Sequence, residues 1–148
     1  AKSSVEIAIK KINVVVPMVW SKSENEKSLL EDLKNGIIHY PKTAAPGQNG
    51  NMVVSGHSSN YVWVKGSYNY IFKDLNNLAS GDIVDVKTIQ QNGRAIVYHY
   101  KINGFKKIVA PDDPVIFENT PESTLTLSTC WPLGTNFRRL IVKADIMR

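Results

Sequence analysis

Apolar and polar residues alternate along most of this chain, with the period of two that a half-buried strand imposes. Runs of this kind occupy Val5 to Ile9, Val14 to Val19, Met52 to Ser55, Ile83 to Thr88, Ala95 to Ile108, Thr124 to Cys130 and Arg139 to Ile146. Between the fourth and fifth runs lies Gln91-Asn92-Gly93. Asn-Gly accepts the left-handed backbone of a tight turn, so this pair reads as a hairpin. Two stretches follow a helical spacing instead. Ser23 with Glu26 three residues on has the form of a capping box, Leu29, Leu30 and Leu33 give an apolar stripe, and Gly36 supplies a stop. A second helix is expected from about Tyr70 to Leu78, where Ile71, Phe72, Leu75 and Leu78 recur on one side. Short strands with two short helices predict a mainly β protein, a closed or nearly closed barrel of about seven to eight strands.

Size and composition fit one such barrel. With 148 residues, 43% of them apolar, and no repeat, linker or low-complexity stretch, the chain is expected to form a single domain over 1–148. An excess of 18 basic over 13 acidic side chains is mild and permits contact with an anionic membrane or an acidic polymer. No cluster of basic and aromatic residues points to nucleic acid, and none is expected as a partner. No apolar run reaches the roughly 18 residues of a membrane-spanning helix.

The chemistry enters with Cys130, the only cysteine. Alone, it can form no internal disulfide and no thiolate metal cluster, which leaves an inert core residue or a nucleophile. Strand parity puts Leu125 and Leu127 with Thr129 on the core side, and Thr126, Ser128 and Cys130 on the other. Cys130 therefore ends a strand facing outward, just before the turn-rich segment Pro132 to Asn136. In the next strand Arg138 shares a face with Leu140, Val142, Ala144 and Ile146, while Arg139 shares one with Ile141, Lys143 and Asp145. If the two strands are neighbours in plain register, Arg139 projects beside Cys130, where a permanently charged donor fork would stabilise a thiolate or an oxyanion.

A thiol nucleophile needs a proton partner, and His39, His57 and His99 are available. His99 lies within a strand pattern and His39 follows the first helix. His57 follows a compact apolar run, with Gly56 before it to allow an unusual backbone and Ser-Ser-Asn after it reading as a loop. The bland alternatives are common ones: a lone cysteine is more often a small core residue than a nucleophile, and Arg138-Arg139 alone reads equally as a solvated edge.

Three separated motifs in order shift that balance. The LTLSTC segment resembles the TLxTC signature of the sortases, cysteine transpeptidases that attach proteins to bacterial surfaces. GIIHYPKTAAPGQNGNMVVSGHSS resembles the family's Pro-Gly loop, GN, strand and GH. CWPLGTNFRRLIV resembles the form in which arginine follows the cysteine by nine positions and leads into an apolar strand. That spacing is closer to classes C, D and E than to class A.

The resemblance implies a sortase barrel with Cys130 as nucleophile, His57 as acid and base and Arg139 as the catalytic arginine. It implies cleavage of an LPxTG-like sorting signal through a thioester, transfer to an amine of a wall precursor or a pilin lysine, and slow hydrolysis as a side reaction. Ser55, Ala110 and Ser128 match positions lining the family's peptide groove, which the VAPDDPV segment would border. It further implies a protein held at the extracellular face of the cytoplasmic membrane by a terminal anchor absent from this chain. No cofactor is expected, and no metal, since the adjacent Asp112 and Asp113 fall short of the six or more oxygens calcium takes. Two other readings stand beside this one. One is a non-catalytic extracellular β-barrel module that binds peptide or wall polymer. The other is a papain-like hydrolase, which fits less well because that nucleophile opens a helix.

Overall fold

The strands run in chain order β1 (Ser4–Ile9), β2 (Val14–Trp20), β3 (Ile37–His39), β4 (Gly50–Ser55), β5 (Ile83–Ile89), β6 (Ala95–Val109), β7 (Ser123–Trp131) and β8 (Arg138–Ile146). They close into a barrel in the order β1-β2-β3-β4-β7-β8-β6-β5, with β5 pairing back onto β1. The structure, a computed structural model, describes residues 3–60 and 65–148. Residues 1, 2 and 61–64 of the expected 1–148 domain lie outside the described residues. Two pairings are parallel, β2 with β3 and β4 with β7, and the other six are antiparallel.

Alternation decides what fills the barrel. Ile7, Val16, Met52, Val54, Val86, Leu125, Leu127, Leu140 and Val142 point inward and are buried, each contributing about 1.5–3 kcal/mol of transfer free energy. Tyr100 is the polar exception in this core. Its hydroxyl accepts from Gly47 N at 2.9 Å and shares a 2.9 Å hydrogen bond with Ser123 Oγ, so the burial leaves no unpaired oxygen.

All seven expected strands are present. The Asn92-Gly93 turn joins β5 to β6, with Gly93 at φ 83° and Gln90 N donating to Arg94 O. The eighth strand, β3, is three residues long and too short to show a period. The first helix, α1 (Glu26–Asp32), starts later than the capping-box reading places it. Asn25 is the cap, its Oδ1 accepting from Lys27 N and Ser28 N, while Ser23 Oγ accepts from Asn25 N. No side chain of α1 is buried, and Leu30 is 49% exposed. Gly36 ends the segment at φ 150°, where a Cβ would lie 2.2 Å from Pro17 O.

The second expected helix does not form. Residues 67–74 make turns and Leu75–Asn77 a single 3-10 turn, with three-residue hydrogen bonds such as Leu75 N to Phe72 O. The buried residues Phe72, Leu75 and Leu78 are spaced by three. That spacing lines up on one edge of a 3-10 turn and drifts off it in an α-helix.

Candidate active site

β4, β7 and β8 lie side by side, and their outward face carries the candidate chemistry. β7 and β8 pair without a shift from Thr124 opposite Asp145 to Trp131 opposite Arg138, which sets Cys130 directly opposite Arg139. Paired residues share a face with Cβ atoms about 5 Å apart. Arg139, not Arg138, is therefore the arginine that shares a face with the thiol, as parity predicts. In the free protein its Nη1 donates to Asn136 O and Arg138 O, each at 3.0 Å. Cys130 is half-buried.

The segment carrying His57 lies against the end of β7 because the chain continues along that strand after β4 ends. Gly56 N donates to Ser128 O at 3.1 Å, Thr129 Oγ1 donates to Gly56 O at 2.7 Å, and Ser58 Oγ donates to Cys130 O at 2.9 Å. These bonds flank His57 on both sides and tie its backbone to that of the cysteine. His57 O also accepts from Phe72 N at 2.9 Å, so the turn that replaces the second helix backs the histidine. Gly56 is required for space, not for the unusual backbone expected of it. A Cβ there would meet the Phe72 ring at 2.8 Å and Ile37 at 2.9 Å.

Burial holds the His57 imidazole below its ordinary value of 6.5, so it is mostly neutral at pH 7. The other histidines sit elsewhere. His39 is buried against Trp20, with Nε2 2.8 Å from Ala44 O and hence protonated there. His99 is exposed and pairs through Nδ1 with Asp85 across β5 and β6.

The three expected groove residues divide. Ser55 and Ser128 are register partners on β4 and β7 and share the outward face with Cys130. Ser128 is buried and Ser55 half-buried. Ala110 is exposed just past the end of β6, next to Val109, which pairs with Arg139. Trp131 packs against the barrel core at the rim. Asp113 caps the 3-10 turn Pro114–Phe117, its Oδ1 accepting from Val115 N at 2.9 Å.

Two residues of the site went unread in the sequence. Asn51, within the GN pair, is buried and anchors the β6–β7 loop. Its Nδ2 donates to Ile116 O at 3.1 Å and Glu118 O at 3.0 Å, while its Oδ1 accepts from Thr126 Oγ1 at 2.7 Å. Tyr40 follows β3 and lies opposite Val53, on the same outward face as Ser55. Its ring packs edge-on to Phe117 at 5.1 Å and against the small cluster of Val53, Val109, Ile116 and Ile141. Burial pushes its phenol up, partly offset by Ser55 and by the charge of Arg139, with Cys130 adding to the rise. No run of residues announces either role. An asparagine in a strand and a tyrosine after a three-residue strand carry no period.

A thiol and a cation on one face, flanked by hydroxyls, with a mostly neutral imidazole on the segment bonded to the same strand end, are the parts of covalent acyl chemistry. The family model described as Sortase domain matches residues 7–147. The chain is similar to Sortase D of Bacillus subtilis (strain 168), 27% identical over 128 residues that cover 86% of this chain and 54% of that protein. It is also similar to Sortase A of Bacillus anthracis, 26% identical over 141 residues, 95% of this chain and 58% of that protein. It thus spans a little over half the length of these curated relatives. Among solved structures, a Clostridium perfringens Sortase D5 transpeptidase superposes with TM-score 0.77 at 28% identity, covering 99% of this chain and 79% of that one. Sortase C-1 from Actinomyces oris superposes with TM-score 0.77 at 25% identity, covering 97% and 73%.

Proposed function

The chain belongs to the sortase family, and on that premise we propose that it is the catalytic domain, over residues 1–148, of a cysteine transpeptidase that cleaves an LPxTG-like sorting signal. The observation that carries this reading is the pairing of Cys130 with Arg139, alongside the hydrogen bond from Ser58 that ties the His57 segment to Cys130.

In this mechanism Cys130 passes its thiol proton to the neutral His57, and the thiolate so formed attacks the carbonyl carbon of the scissile Thr-Gly bond. The carbonyl π electrons move to oxygen, giving a tetrahedral oxyanion. Protonated His57 donates its proton to the departing amine, the C–N bond breaks, and a thioester remains on Sγ. Arg139 offsets the oxyanion charge. Nη1 already serves two backbone carbonyls, so Nη2 and Nε are the donors assigned to the peptide. An incoming amine then loses its proton to His57, attacks the thioester and expels the thiolate. The acceptor is an amine of a wall precursor or a pilin lysine, and water is the slow alternative. The site would act at the extracellular face of the cytoplasmic membrane. Among the described residues no helix is long and apolar enough to cross a membrane.

The test is incubation with a panel of LPxTG-like peptides plus an amine, read by intact mass spectrometry. A peptide adduct on Cys130 that passes to the amine is the expected result. No adduct from any peptide, with a thiol that also resists alkylation, would sink the transpeptidase and favour a binding module.

A further inference from the structure

The outward face of four consecutive strands carries Tyr40 after β3, Ser55 on β4, Ser128 and Cys130 on β7, and Arg139 on β8. Three strand spacings of about 4.8 Å separate β3 from β8, and Tyr40 stands level with Val53, Thr126 and Lys143, four residues along β8 from Arg139. Their long side chains rise from opposite edges of the strip that holds the two serines and the thiol. An extended peptide laid on that strip would run between them.

Tyr40 is also fixed in place. Its backbone N donates to Val53 O at 3.0 Å, and its carbonyl accepts from Thr43 Oγ1 at 2.8 Å. Its ring is held edge-on by Phe117 and by the outer apolar cluster. The polar end is thereby aimed toward the serines and not into the barrel. The Ser55 hydroxyl donates toward that phenol oxygen, which leaves the phenol's own O–H to serve as a donor.

We propose that Tyr40 is a further peptide-binding residue of this site, its hydroxyl donating a hydrogen bond to a backbone carbonyl of the bound peptide from the edge of the groove opposite Arg139. A raised phenol pKa keeps that hydroxyl protonated throughout the working pH range, so it is a donor whenever peptide arrives. The inference rests on the acyl-transfer reading and adds to it a second fixed donor. Nothing is covalently changed at Tyr40.

The experiment compares wild type with Tyr40→Phe, which keeps the ring and its contact with Phe117 and removes only the oxygen. Rates of thioester formation are measured with a peptide from the panel, alongside iodoacetamide alkylation of Cys130 and the thermal midpoint. Expected is a fall in kcat/KM of about tenfold, the factor one well-placed hydrogen bond carries, through a raised KM. Alkylation and thermal midpoint should match wild type, since iodoacetamide has no peptide backbone to hold. A kcat/KM within about twofold of wild type overturns the assignment. So does an equal fall in alkylation, which would place the effect on the thiol. Failure of wild type itself to form any thioester would remove the transpeptidase reading, and this inference with it. Failure of Tyr40→Phe to differ from an active wild type removes this inference alone.

Discussion

The inner and outer faces of β4, β7 and β8 come from the same three strands and differ in almost everything else. Inward, Met52, Val54, Leu125, Leu127, Leu140, Val142 and Ala144 are all buried and apolar. Outward, Val53, Ser55, Thr126, Ser128, Cys130, Arg139, Ile141 and Lys143 mix apolar, polar and charged groups. The outward face is graded along its length. At one end the Pro114–Phe117 turn and Asn51 cover it, so that Thr126 is buried with its hydroxyl satisfied. At the other end Cys130 and Arg139 stand half-open. The lesson is that one face of a sheet can hold the fold while the other, a side chain away, holds groups that must stay reachable.

The sharpest way to break this comparison is Cys130→Ala. The thioester should disappear altogether while the thermal midpoint moves by no more than a few degrees, because the side chain is not part of either core cluster. A residual adduct in intact mass spectra would remove Cys130 as the nucleophile. Next in size, His57→Ala should lower turnover by about 10²–10⁴-fold, the range for a general acid and base. Arg139→Ala should cost about 10²–10³-fold, the range for a lost oxyanion donor. Arg138→Ala is the control, and a larger loss there than at Arg139 would mean that the β7–β8 register does not decide which arginine works.

On the inner face the same-sized change should act through stability. Leu127→Ala is expected to cost about 2–5 kcal/mol in chemical denaturation, with kcat/KM of the folded fraction nearly unchanged. If it instead lowered activity with no loss of stability, the division between faces would be wrong. Asn51→Ala tests the covered end. It leaves the carbonyls of Ile116 and Glu118 without their donor, costing about 1–3 kcal/mol and loosening the loop over the groove. Faster proteolysis within 110–122 would report it.

The smallest effect is one of pH. His57 titrates lower in the folded protein than its ordinary 6.5, so folding opposes its protonation. Its contribution is fully present above pH 6.5 and is lost as pH falls through the folded value. His57→Gln should flatten that part of the stability curve below pH 6.5, and an unchanged slope would contradict the desolvation at this residue.

Much of this was legible in the chain because period two is a local property. Seven strands, the Asn92-Gly93 turn and the separation of Arg139 from Arg138 all follow from which neighbours alternate. Where local rules competed, the sequence misled. Phe72, Leu75 and Leu78 satisfy a helical spacing loosely and a three-residue turn closely, and packing beneath His57 selects the turn. Leu30 completes an apolar stripe yet stays 49% exposed, while Leu29 and Leu33 are half-buried.

By itself, then, the sequence determined the barrel class, the face on which the thiol lies and the motifs that carry the family. Only the tertiary structure decided how the segment carrying His57 is tied to the end of β7, through Gly56 and Ser58, once β4 is laid parallel to β7. It also decided that Asn51 ties the loop down and that Tyr40 shares the outward strip with Ser55, Cys130 and Arg139. Those relations join residues far apart in the chain, and alternation within a strand holds no information about which strands become neighbours.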